Sequence, residues 1–166
     1  MNAADVLASG FRYLHEALRE DISGISDEKL WWQPQRGANP AGFLLWHIVR
    51  DEDDVVSFAR GSERLWKSER WFERFGMSES EQGTGFTAGE VAVLRYPFAT
   101  LREYAEAVWP RTEREVPQLT DADLERPAFG DWTVERLLNE GCLCHSWLHL
   151  GEVRYVRGLQ GWRARE

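Results

Sequence analysis

Residues 145–158 read HSWLHLGEVRYVRG, and the reading of this stretch decides the fold of the whole chain. Taken as a helix, it sets His145 and His149 about 40° apart and one turn above each other, the arrangement in which two imidazoles share one metal ion. The same projection brings Val134, Leu138, Gly141, Cys142, Glu152 and Val156 within about 60° of His145, so the histidines sit on an inward face. Each buried ring nitrogen needs a partner. A metal satisfies both rings at once, whereas two core histidines would need separate hydrogen-bonding partners. The helix is predicted from about Thr133, after Gly130 and Asp131, to Arg157, stopping before Gly158.

Working outward, a second helix is predicted from Pro40, a residue favoured at the first helical position, with Asn39 as its N-cap. It runs through about Ala59 and stops near Gly61. Leu44, Ile48, Val55 and Phe58 form its apolar arc; Asp51 lies within that arc and His47 flanks it, so His47 is the expected third ligand. The first helix, from about Ala4 to Ile22, carries the stripe Leu7, Phe11, Leu14 and Leu18. His15 lies outside this stripe and reads as a surface histidine. Thr87 and Glu90 form a capping box. A third long helix follows Pro97, with Leu101, Tyr104, Ala105 and Val108 facing inward, and Pro110 is expected to kink or interrupt it.

Between the second and third helices, Trp66, Trp71, Phe72 and Phe75 give way to SESEQGTG at residues 78–85, which reads as a crossover. ISDEKLWWQP at residues 25–34 and LTDADLERP at residues 119–127 echo each other as capped single turns, each preceding a histidine-bearing helix. They read either as chance likeness between caps or as the mark of two related helix pairs. No run alternates with the period of a strand. The expectation is one all-α domain over residues 1–166, a four-helix bundle with a long crossover connection between helices two and three.

A formal net charge of −8 with no basic patch argues against nucleic acid and anionic membrane as partners, and no apolar run is long enough to cross a bilayer. The start, MNAADVLASGF, lacks a signal-peptide pattern, so the expected location is cytoplasmic. Cys142 and Cys144 point about 200° apart on a helix and do not pair. Cys142, three residues before His145, reads as a small buried hydrophobe and Cys144 as inert packing. The nine tryptophans read as core or pocket wall; Trp46 and Trp147, next to the ligand positions, project sideways from them.

Three neutral histidines leave a fourth metal position open to water or a thiol. Asp51, four residues after His47, and Glu152, three after His149, point toward the same region as candidate catalytic carboxylates or as hydrogen-bonding partners of the ligands. Asp54 reads as a solvated helix carboxylate.

LLWHIVRDEDD around His47, HSWLHLGEVRYVRG around His145 and His149, and the approach LWWQPQRGANPAGFLLWH together resemble the DinB-like (DinB/YfiT) superfamily of bacterial four-helix bundles. That resemblance covers nearly the whole chain in layout. It implies a divalent metal on His47, His145 and His149, with zinc ahead of nickel, iron and manganese. It also implies a thiol-dependent S-transferase or isomerase that joins a small electrophile to mycothiol, bacillithiol or glutathione, and a homodimer. The residues leave two other readings open: a non-catalytic metal or small-ligand binding protein serving stress response or sensing, and a structural metal tying helix two to helix four.

Overall fold

Asn2 opens the first helix, α1 (Ala3–Ile22), through a capping box with Asp5. The computed structural model describes residues 2–161; Trp162, one of the tryptophans expected in core or pocket wall, lies outside them. Leu7, Phe11, Leu14 and Leu18 are buried on α1 as their spacing predicts, but the buried face is wider and includes Ala4, Ala8, His15 and Ile22. His15 is fully buried, which corrects its reading as a surface residue. The physical reason is that α1 packs against two long helices, so one narrow stripe understates what it covers.

The second long helix, α2 (Ala41–Arg60), ends at Gly61 in the left-handed conformation, φ 64°, as its glycine predicts. Its start differs by one residue: Pro40 is the N-cap, its carbonyl accepting from the Leu44 N–H at 3.3 Å, and Asn39 makes no cap. The third, α3 (Phe98–Glu115), buries Leu101, Tyr104, Ala105 and Val108 as expected. It runs through Pro110 without a break and continues into a 3-10 turn over Val116–Gln118.

The fourth, α4, starts after the N-cap Thr133, whose side chain accepts from the Arg136 N–H. It comprises an α-turn (Val134–Arg136), a π-helical stretch (Leu137–Cys144) and a longer α-helix (His145–Leu159) that runs two residues past the predicted end. A π-helical stretch of this length is unusual, because i→i+5 bonding normally survives only as a single-turn bulge.

α1 packs on α3 and α4, and α2 packs on α3 and α4, closing a ring around the core. Tyr96, just before α3, bonds the Gly42 carbonyl at the start of α2, while Asp53 further along α2 meets Tyr104 and Arg111 of α3. Those two helices therefore run parallel. A chain leaving the end of one must return the length of the bundle, about 30 Å for a twenty-residue helix, before starting the other. Residues 61–97 make that return through three short helices, Leu65–Ser68, Trp71–Phe75 and Ala88–Val93, the last opened by the Thr87–Glu90 capping box.

Asp53 anchors the crossover to α2, accepting from the Leu65 and Trp66 N–H groups at 2.9 and 2.7 Å and from the Tyr104 hydroxyl at 2.8 Å. Burial raises its carboxyl above the usual range against the pull of these donors. Trp66 then fills the space between Trp46, Phe75 and Tyr104. Among the described residues there is no strand, only an isolated bridge between Pro127 and Thr133, and no helix long and apolar enough to cross a membrane.

Candidate metal centre

His47 stands in the middle of α2, buried, with its ring facing those of His145 and His149 edge-on and the Phe43 ring stacked on it. Its Nδ1 lies 3.0 Å from the Gln82 carbonyl oxygen. A carbonyl can only accept, so Nδ1 carries the proton and Nε2 keeps its lone pair. Gln82 reaches this position because Gly83 follows it. At φ +80° a Cβ on Gly83 would stand 2.7 Å from the Trp46 ring and 3.1 Å from His47 Nδ1. Only glycine permits that approach.

His145 and His149 occupy the first turn after the π-helical stretch of α4. Their Nε2 atoms are 2.8 Å apart, and His149 Nδ1 lies 2.9 Å from a Glu152 carboxylate oxygen. His145 Nδ1 is 3.8 Å from Oδ2 of Asp51, an oxygen that is buried and has no hydrogen-bond partner. One ligand atom from each of the three histidines lies within 4.8 Å of the others. Zinc–nitrogen bonds of about 2.0–2.1 Å at tetrahedral angles separate ligand nitrogens by roughly 3.3 Å. The His145 and His149 Nε2 atoms at 2.8 Å are somewhat closer than that, all three ligand atoms fall within 4.8 Å of one another, and the donor set is the neutral imidazole that divalent zinc, nickel and iron accept.

Electrostatics separate the rings. Burial lowers the His47 pKa below its ordinary 6.5, so this ring is neutral at pH 7. Asp51 raises that of His145 against its partial burial. The sequence-predicted residues His47, His145, His149, Asp51 and Glu152 thus come together in one place, Asp51 beside His145 and Glu152 on His149.

Asp54 departs from its expected solvated state: it is mostly covered and pairs with Arg50 and, at 2.9 Å, with Arg64. Arg50 is the cause, a fully buried guanidinium one turn earlier, over the Trp66 ring. Cys142 is buried as read, and burial drives its thiol well above the ordinary value. Cys144 is exposed rather than packed, because it lies on the outer side of α4. Trp46 belongs to the core, and Trp147 is half-buried against Tyr13 of α1.

A cleft of about 620 Å³ lies alongside, between α2 and the start of α4. It meets the site through Asp51, Gln82 and Gly141, without any of the three histidines in its wall. Phe58, predicted to face inward, borders this cleft and is 41% exposed. Sequence reasoning missed Gln82 and Gly83 because Gln82 acts through its backbone; the QGTG run was the available signal, a glycine-punctuated segment crossing a histidine-bearing helix.

Three histidines on two antiparallel helices of a closed four-helix ring define the class, a helical bundle with a candidate three-histidine metal centre. The chain belongs to the DinB superfamily, whose family model matches residues 11–153. A crystal structure described as the conserved protein of locus from Enterococcus faecalis is similar over 96% of this chain and 97% of that one, with a TM-score of 0.83 and 21% identity. That likeness is one of fold. No curated protein matches the sequence.

Proposed function

We propose that His47, His145 and His149 hold one divalent metal ion, zinc before nickel, iron or manganese. On this reading the protein is a thiol-dependent S-transferase or isomerase acting on a small electrophile. The observation that carries it is the outward commitment of two rings: Gln82 and Glu152 accept from Nδ1 of His47 and His149, so that Nε2 of each keeps its lone pair, and Asp51 stands beside Nδ1 of His145. Partners of this kind fix the tautomer a ligand needs.

A bound divalent cation with three imidazole ligands supplies the positive charge that lowers the pKa of a coordinated thiol or water. Asp51, at the cleft wall and next to His145, is the carboxylate placed to take up the thiol proton. Glu152 holds His149 in its Nδ1–H form. The thiol is of the low-molecular-weight class, mycothiol, bacillithiol or glutathione. The alternative, a non-catalytic binding protein, draws on one observation, that the cleft meets the site through Asp51, Gln82 and Gly141 rather than through a histidine.

The test is metal content by plasma mass spectrometry on protein purified without an affinity tag, followed by thiol consumption with a small electrophile. About one ion per chain, absent from the His145→Ala, His149→Ala double variant, supports the centre, and turnover that needs both ion and thiol supports the transferase. Metal without turnover favours the binding protein. No metal in either chain sinks the centre and the transferase and leaves a helical binding module.

A further inference from the structure

The wall of the cleft opposite α2 is built from the turn that leads into α4. The Ala128 N–H donates to the Trp132 carbonyl at 2.8 Å, Trp132 N–H to Phe129 at 3.0 Å and Val134 N–H to Arg126 at 2.9 Å, with Gly130 at φ +57° closing the turn. This pins two rings side by side: Phe129 and Trp132 stack at 5.2 Å between centroids and 21° between planes. Arg136 lies over Trp132 at 4.5 Å. Across the gap, Phe58 of α2 is held under Arg126, which donates to the Phe58 and Ala59 carbonyls. Phe129 is 57% exposed, so a preformed aromatic surface faces open space. One exposed ring is ordinary on a protein surface; two exposed rings and the half-buried Trp132 around one concavity of ligand size are not.

We propose that this cleft is a binding site for a flat aromatic small molecule, neutral or cationic, held against Phe58, Phe129 and Trp132. Charge selects within that class. Three carboxylates, Asp51, Asp54 and Glu63, line the cleft against two cations, Arg64 and Lys67. Both cations are already engaged, Arg64 by Asp54 at 2.9 Å and Lys67 by Glu63 at 3.1 Å. Among the described residues that line the cleft, an anionic ligand would find both cations already paired and one carboxylate in excess, while Arg126 and Arg136 are turned onto the Phe58 and Trp132 rings. The assignment goes beyond the metal reading and stands without it, since no metal ligand lines the cleft.

The experiment is calorimetric titration of 2-naphthylmethanol, 2-naphthylmethylammonium and 2-naphthoate, with a chelator present so that metal plays no part. The neutral and cationic probes are expected to bind saturably, and the carboxylate at least about tenfold more weakly. Phe129→Ala, which the exposure of that ring predicts to leave the circular dichroism spectrum unchanged, and Phe58→Ala should each weaken the neutral probe by about tenfold. Absence of binding by wild type, wild-type affinity retained in both variants, or tightest binding by naphthoate would each overturn the assignment.

Discussion

His15 and His47 are both buried in the core of one bundle, and their rings meet opposite surroundings. His15 has a carboxylate on each nitrogen, Glu113 at 2.8 Å from Nδ1 and Glu52 at 3.0 Å from Nε2, and it stacks on Trp109. His47 has one backbone carbonyl on Nδ1 and two other imidazoles nearby. Burial lowers the pKa of either ring. At His15 the two carboxylates outweigh burial and raise the value; at His47 nothing in contact does so, and the value falls. The comparison separates a ring saturated by fixed acceptors, which favours its charged form, from one that stays neutral with a lone pair to give.

The sharpest way to break the comparison is to empty the saturated cluster. His15→Ala leaves the fully buried Glu52 without its ring partner, a change expected to cost about 3–5 kcal/mol in urea unfolding. The metal content of the folded fraction should stay at wild-type level. Metal lost along with stability would mean that the two clusters act as one unit. Next in size is the gain expected of wild type on adding zinc. At about a hundredfold excess over the dissociation constant, binding to the native state alone adds roughly 2.7 kcal/mol. Thermal melts should show that gain in wild type and none in the His145→Ala, His149→Ala variant.

How legible this was in the sequence differs between the two histidines. The histidine triad followed from HSWLHLGE and from the apolar arc around His47, since helical spacing alone fixes which face such residues share. His15 was legible too, but only if alanines count: Ala4, Ala8, Phe11, His15 and Ile22 all lie on one buried face of α1. The long-chain stripe drew the eye away from it. The stretch over Leu137–Cys144 carried no such signal, because π-helical winding is set by tertiary packing and leaves no pattern in residue type. Pro110 does not interrupt α3 for a related reason: it removes one hydrogen bond, and the packed face of α3 outweighs that loss.

Gly83→Ala probes the open cluster from behind. The left-handed backbone and the close Trp46 contact make an added methyl cost about 1–2 kcal/mol of stability, less than either change above. Its effect on zinc affinity should be of the same order, about tenfold or more, because the Gln82 carbonyl that orients His47 must retreat. A variant that loses stability but keeps wild-type affinity would show that His47 holds its orientation without Gln82.

The smallest effect tests the sign of the comparison. His15 in the folded chain has its pKa raised above the ordinary 6.5, so it holds its proton more tightly folded than unfolded. Its contribution is complete below about pH 6.5 and fades as pH climbs through the higher folded value, with a slope that stays under about 1.4 kcal/mol per pH unit. The measurement is the difference in unfolding free energy between wild type and His15→Gln, taken with a chelator present from pH 6 upward. Glutamine keeps a hydrogen bond to the carboxylates but cannot take the charge, so the difference isolates the proton. It should shrink toward alkaline pH. A difference that grew with pH would mean that burial, not Glu52 and Glu113, governs His15, and the two buried histidines would then be alike.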